Sequence, residues 1–149
     1  MIRRATEADL AAIQAIEQGS FPAVWAAAAF AAELALPHAR VDVLVEDDRI
    51  VGFASYWLVV PGAQHAAEVH ILSIATHPTA RRRGVAAQLL AHALGAGRAI
   101  GATLATLEVR RSNAAAIALY ARHGFATAHV RKRYYQDNDE DGLVMLASL

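Results

Sequence analysis

Cysteine is absent from the chain. That excludes a disulfide framework, a thiolate nucleophile and the sulfur ligands of a structural zinc site. Lysine is nearly absent too: Lys132 is the single one, and arginine carries the remaining positive charge. The 14 basic residues are matched by 14 acidic ones. The basic excess of a nucleic-acid binder is therefore missing, and no direct nucleic-acid partner is expected. No apolar run is long enough to cross a bilayer, so no membrane partner is expected either. The opening Met1-Ile2-Arg3-Arg4-Ala5-Thr6-Glu7 meets acid within a few residues, unlike a secretory signal, and a cytoplasmic protein is expected. Of the seven histidines, His65 and His70 stand too far apart on an extended segment to share a metal, so no metal site is expected.

What remains is a chain of 149 residues, 56% hydrophobic and rich in alanine. That length suits one domain, 1–149, with a single sizeable core. Ile2 to Ala5 reads as a strand. Thr6 and Asp9 form a capping box with Asp in place of Glu, and Leu10, Ile13 and Ile16 follow at helical spacing. Phe21-Pro22 breaks that helix, and Val24 to Leu36 reads as a second. Val41 to Glu46 and Ile50 to Val60 alternate as strands about the Asp47-Asp48-Arg49 turn. After Pro61-Gly62, Glu68 to Thr76 is an apolar strand. Val85 to Leu94 is a helix, Thr103 to Arg110 a strand, and Asn113 to His123 a helix stopped by Gly124. Phe125 to Arg133 and Leu143 to Leu146 read as strands around an acidic loop, Asp137 to Asp141. Such an order implies an α/β domain with a central mixed sheet covered by helices.

Two segments carry chemistry. Arg81-Arg82-Arg83-Gly84-Val85-Ala86 lies between a strand and a helix start. Free N–H groups and the helix dipole make such a place an anion site suited to pyrophosphate. Gly84 lets backbone approach the ligand, and Ala86 is nearly as small. The same residues also fit an ordinary basic helix start. In the second segment, Glu108 ends a strand where open sheets place ligands. Asn113, Ile117 and Tyr120 share one face of the helix that follows. An acid, an amide and a phenol then converge on one edge. Equally, Tyr120 fits a core position and Glu108 a solvated ion pair with Arg110.

Together these segments resemble the GNAT superfamily of N-acetyltransferases. The cradle matches its Arg/Gln-x-x-Gly-x-Gly/Ala signature, and Ile71 to Thr76 matches the strand before it. Leu107 to Tyr120, Arg122-His123-Gly124-Phe125, Arg131-Lys132-Arg133-Tyr134-Tyr135, Phe21-Pro22, Trp25 and His70-Ile71-Leu72 are similar to the RimI-type N-terminal acetyltransferases. Those enzymes acetylate the N-terminal alanine of the eighteenth protein of the small ribosomal subunit. The resemblance runs nearly end to end. It implies a GNAT (acyl-CoA N-acyltransferase) fold with a mostly antiparallel sheet, and acetyl-CoA as co-substrate. By the same resemblance Glu108 is the general base, Tyr120 the general acid, and Asn113 a contact of the CoA arm. Arg81, Arg82, Arg83, Gly84, Val85 and Ala86 hold the pyrophosphate. Thr76, Ala80 and Ala86-Ala87 depart from the commoner valine, tyrosine and Gly-Arg, and none of these changes removes a catalytic group.

The chemistry agrees. Transfer from a thioester to an amine needs a neutral amine, a stabilised oxyanion and a protonated leaving thiolate. Glu108 can take the ammonium proton, backbone N–H groups of Ile74, Ala75 and Thr76 can polarise the carbonyl, and Tyr120 can protonate sulfur. An α-amine has a pKa of ~8 against ~10.4 for lysine, so a lone carboxylate base suits a protein N-terminus better. Asp137, Asp139, Glu140 and Asp141 can receive a basic peptide tail or simply face solvent. Glu68, on the strand near the cofactor, is a secondary base. The expected partner is a protein N-terminal peptide, from a ribosomal protein by resemblance, acted on by a monomer or weak dimer. The alternatives are another amine, such as a free amino acid or a different protein N-terminus, and a non-catalytic CoA-binding module. A pure binder has no need of both Glu108 and Tyr120.

Overall fold

Residues 1–20, 27–60, 62 and 65–149 are described by the computed structural model of this chain. The Phe21-Pro22 break, the Val24 helix start, Trp25 and Pro61 lie outside the described residues. The elements are β1 (Ile2–Arg4), α1 (Leu10–Gln18), α2 (Ala27–Ala35), β2 (Ala39–Glu46), β3 (Arg49–Val59), β4 (Glu68–Thr76), α3 (Val85–Ala99), β5 (Leu104–Arg110), α4 (Ala114–Arg122), β6 (Ala126–Tyr135) and β7 (Glu140–Ser148). Short 3-10 turns at Glu7–Asp9 and Pro78–Ala80 precede α1 and α3. This is the order expected from the sequence. The seven strands form one sheet in the order β1-β2-β3-β4-β5-β7-β6. Only β4 and β5 run parallel; the other neighbours are antiparallel.

Strand alternation divides the apolar side chains between two faces. On β3, Phe53 joins Ile13, Ile16, Phe30, Val41 and Val43 beneath α1 and α2. Ala54, Tyr56 and Leu58 point the other way, with Leu89 and Leu90 of α3 and with Val69, Ile71, Leu107 and Tyr120. Burying each such Leu, Ile or Phe contributes roughly 1.5–3 kcal/mol. At the start of α1 the expected capping works with Asp in place of Glu. The Thr6 N–H donates to Asp9 at 2.8 Å, and Arg3 adds two bonds at 2.8 and 3.0 Å. Arg3 first, with Thr6, holds the Asp9 carboxyl at about 2 against the cost of burial.

Two strand irregularities prepare the site. Pairing of β3 with β4 passes from Ser55↔Ser73 to Tyr56↔Ile71, which leaves Leu72 as an extra residue on β4. Before this bulge Val69 and Ile71 face α3; after it Ala75 faces α1 and α2. The bulge thus reverses which face each later side chain meets. Second, β4 pairs with β5 only from Glu68↔Leu104 to Ile71↔Leu107. Beyond that point β4 continues beside β3 to Thr76, and β5 continues beside β7 to Arg110. Their facing edges part and leave a fork in the sheet.

Helix α3 runs to Ala99 rather than ending at Leu94, because Gly97 lies against the sheet: a Cβ there would stand 2.0 Å from Val69 Cγ2. Its first turn is equally close. A Cβ on Gly52 of β3 would meet Val85 Cγ1 at 2.6 Å and the Ala75 carbonyl at 3.0 Å. This contact holds the start of α3 beside the end of β4. Gly52→Ala should therefore destabilise the fold by about 1–3 kcal/mol through overpacking. Gly95→Ala, whose Cβ meets nothing, should stabilise it by about 0.5–1 kcal/mol by restoring helix propensity. Thermal denaturation of the two variants reads both signs.

Candidate active site

The fork opens into a cavity of about 580 Å³ on the α3 and α4 side of the sheet. Ile74, Ala75 and Thr76 of β4 form one wall; Arg81, Arg82, Gly84, Val85 and Ala86 close one end; Asn113 and Tyr120 line the opposite wall. These are the expected cofactor-binding residues with one exception. Arg83 is absent from the lining and turns away to pair with Glu46 of β2. The backbone makes the cradle. Arg82 and Gly84 both adopt positive φ, 62° and 77°, and Gly84 caps α3, accepting the Gln88 N–H at 3.0 Å. A Cβ on Gly84 would meet no atom within 4 Å, so the backbone there is open on the cavity side. The first N–H groups of α3 have no intrahelical acceptor, and with the dipole behind them they make this helix start suited to an anion.

Asn113 has a definite local duty. Its side-chain oxygen accepts the Ala116 N–H at 3.2 Å and caps α4. Its amide NH₂ has no partner among the described residues. Tyr120, one face of α4 away, is buried against Phe125 at a ring distance of 5.8 Å. Burial, with a smaller contribution from Tyr135, pushes its phenol up to about 12. It therefore stays protonated throughout the neutral range, able to donate.

Glu108 does not line this cavity. On β5 it alternates with Leu107 and Val109, which point into the α3 core, so its carboxylate emerges on the opposite face, at the fork. In the alternative reading as a solvated ion pair its partner is Arg110. Instead Glu108 meets Arg131 of β6 at 3.5 Å and accepts a hydrogen bond from the Tyr134 hydroxyl, which raises that phenol. Burial first, and then the Glu108 charge against an opposing effect of Arg110, raise the Tyr135 phenol. Tyr120 and Glu108 thus stand on opposite sides of one opening. Glu68 lies at the far end of the parallel pair, opposite Val59 and Leu104, four residues or roughly 13 Å along the strand from the fork.

The acidic loop is shorter than the sequence suggests, since Glu140 and Asp141 belong to β7. Its carboxylates are taken up internally. Asp137 and Glu140 pair with Arg110 at 3.0 and 3.5 Å, and Asp141 pairs with Arg111 at 3.3 Å and Lys132 at 3.4 Å. Glu140 also accepts the Ser112 N–H at 2.7 Å. Only Asp139 of the four has no ion pair among the described residues. Most of this charge is already neutralised and has little left to offer a basic tail.

The pattern of the Acetyltransferase (GNAT) family matches residues 10–125. The chain belongs to the GNAT acetyltransferase family. This GNAT acetyltransferase is 34% identical over 139 residues to the ribosomal protein bS18-alanine N-acetyltransferase of Salmonella typhimurium (strain LT2), a match covering 92% of this chain and 89% of that one. It is 34% identical over 121 residues to the N-alpha-acetyltransferase RimI of Mycobacterium tuberculosis, covering 81% and 73% of the two chains. The crystal structure of the ribosomal-protein-S18-alanine N-acetyltransferase from Escherichia coli superposes with a TM-score of 0.87 at 31% identity, covering 99% of this chain and 92% of that one. The RimI-type resemblance is thereby confirmed, and with it the fold class. Acetyl-CoA is the co-substrate of such an enzyme. The cradle, the small residues at its mouth and the open β4 edge fit its phosphates and its extended arm.

Several lining residues of the GNAT site escaped the sequence reading. Gly19 and Ser20, just past α1, join the cavity wall together with Ala116 and Arg122. Arg81 holds the first of these by donating to the Gly19 carbonyl at 3.1 Å. Nothing local to Gly19 signals that contact, whereas Ala116 and Arg122 share α4 with Tyr120. Among the described residues no group of three metal-ligating side chains occurs, and no helix is long and apolar enough to cross a membrane.

One consequence concerns acid stability. Hydrogen bonds from Ser112, then Asn138 and Arg110, hold Glu140 at about 2 against a desolvation cost, below its ordinary 4.5. A depressed folded value stabilises the ionised fold. The contribution is fully present above pH 4.5 and is lost as pH falls toward 2. Wild type should exceed Glu140→Gln in Tm at pH 6, and the gap should close as the pH is lowered. A gap that stays constant down to pH 2.5 would refute the assignment.

Proposed function

We propose that this GNAT acetyltransferase transfers acetyl from acetyl-CoA to the N-terminal α-amine of a protein, the N-terminal alanine of ribosomal protein bS18 being its substrate. Relatives of that name at about one-third identity support the substrate. The observation that carries the mechanism is the fork, with Tyr120 on the cavity side and Glu108 on the open face. In this reading the thioester arrives from one side of the sheet and the amine from the other, and they meet where β4 and β5 part.

Glu108 takes the ammonium proton, directly or through a water, and leaves a nucleophilic amine. The amine nitrogen bonds to the acetyl carbon, and the carbonyl oxygen takes up the negative charge. Of the expected donors, the N–H groups of Ile74 and Thr76 lie on the unpaired β4 edge and stabilise it, while that of Ala75 faces β3. The C–S bond then breaks as the nitrogen releases its second proton to solvent and becomes an amide, and Tyr120 gives its own proton to the departing thiolate. A phenol held near 12 is a weaker acid than the thiol it makes, so Tyr120 acts on a thiolate as charge develops and recovers its proton from solvent. Soluble or ribosome-bound, the substrate supplies an extended N-terminal strand of peptide; the half-buried Glu108 receives its first residue.

The deciding experiment offers acetyl-CoA and two peptides, one beginning with alanine and one N-terminally blocked but containing lysine, and locates the acetyl group by mass spectrometry. The first should be labelled on its α-amine and the second not at all. Label on lysine of the blocked peptide would overturn the N-terminal reading. The residue roles are tested separately. Glu108→Gln should lower kcat by about 10²–10⁴ with acetyl-CoA affinity nearly unchanged. Tyr120→Phe should slow thioester donors far more than a donor whose leaving group needs no proton, and equal losses would make Tyr120 a positioning group only.

A further inference from the structure

We propose that Arg110 is a positioning residue that straps the β6–β7 hairpin across the corner between β5 and α4, and so fixes the carboxylate of Glu108. The inference rests on the reading of Glu108 as the general base.

Arg110 follows Glu108 by two positions on β5 and shares its face. Its side chain is only 16% exposed, and its guanidinium is fully engaged with the hairpin. One terminal nitrogen donates to Asp137 at 3.0 Å, the other to Asn138 at 3.2 Å and Glu140 at 3.5 Å. Its central carbon lies 4.0 Å from the centre of the Tyr135 ring. Three hydrogen bonds from the terminal nitrogens and a ring contact at the guanidinium carbon use the rigid fork of arginine; the compact ammonium of lysine cannot reproduce them. Glu140, held from one side by Arg110, is held from the other by the Ser112 N–H just before the Asn113 cap of α4. The same turn of hairpin thus grips both sides of the corner.

The grip matters because the hairpin carries the groups that touch Glu108. Pairing of β6 with β7 passes from Arg131↔Gly142 to Tyr135↔Glu140, so Lys132, Arg133 and Tyr134 bulge opposite Asp141 alone. Arg133 adopts φ 52°, and its N–H is satisfied by the Asp141 carboxylate at 3.0 Å. The bulge lays the Tyr134 ring on Gly142, where a Cβ would meet it at 3.1 Å. From there Tyr134 bonds Glu108, and Arg131 reaches it at 3.5 Å. Both are exposed, at 41% for Tyr134 and 48% for the Arg131 side chain, and have no apolar core beneath them, since nearly all of β6 is exposed. Their placement depends on the ends of the hairpin being held, and Arg110 is the side chain that holds the turn.

The test is a double-mutant cycle on steady-state acetylation of an alanine-initiated peptide. Arg110→Met removes the fork and keeps most of the apolar stem. In the wild-type background it should lower kcat by roughly 10–100-fold, as a misplaced reacting group does, with the KM for acetyl-CoA little changed. In the Glu108→Gln background the same change should cost almost nothing, because no base remains to be placed. Arg110→Lys should fall between, and Asp137→Asn, made on the surface side of the strap, should lose activity in the same direction. Equal losses in both backgrounds would show a merely structural role and overturn the proposal, as would full activity of Arg110→Met. Should Arg110→Met fail to fold, Arg110→Lys and Asp137→Asn carry the cycle instead. Full activity of Glu108→Gln alone would remove the base and, with it, this proposal, whatever Arg110 does.

Discussion

Two strands that run parallel for four residues and then part make a slot in a sheet that is otherwise continuous. The slot exists because each strand is committed on its other side. β4 stays with β3 as far as Thr76, and β5 stays with β7 as far as Arg110. Backbone N–H and C=O groups along the parted edges have lost their ladder and need other partners. An extended amide-bearing arm is a natural one. The same opening joins the two faces of the sheet at the site, with Tyr120 of α4 on one side and Glu108 of β5 on the other.

The bulge at Leu72 adjusts the chemistry of that slot. By reversing the facing of later side chains, it brings Ile74 and Thr76 to the cavity wall while Ala75 anchors beneath α1 and α2. The close approach of α3 to Gly52 then brings the helix N-terminus to the end of the same strand. Strand edge and helix start are therefore set by packing on the two faces of one sheet, and the cavity is what lies between them.

A net charge of zero conceals an uneven distribution. Arg83, Arg110, Arg111 and Arg131 each face a carboxylate. Arg81 and Arg82, at the cavity, have no acidic partner among the described residues. Positive charge at the cleft thus comes from pairing the arginines elsewhere, not from a basic composition. Arginine rather than lysine fits this use, since planar two-pronged contacts to carboxylates recur at the hairpin.

What the sequence by itself determined was whatever depends on neighbours a few residues apart. Alternation marked the strands, 3.6-residue spacing marked α1 and α4, Asn113 marked a helix start, and Gly84 marked a cradle. Motif spacing placed Glu108 and Tyr120 at one edge. Local pattern faltered where packing overrode it: the expected helix ends at Leu94, yet α3 runs on through Gly95 and Gly97 to reach Val69 closely. The tertiary structure alone decided that Glu108 pairs with Arg131 and Tyr134 rather than Arg110, that Arg83 turns from the cradle to Glu46, and that Gly19 joins the cavity. It also decided that the acidic turn is bound to Arg110 and Arg111 instead of standing open. The physical reason is separation along the chain. Arg81 meets Gly19 across 62 positions, Arg83 meets Glu46 across 37, and Arg110 meets Asp137 across 27. No periodicity within a helix or strand carries information over such distances; strand order and the fork in the sheet bring those residues together.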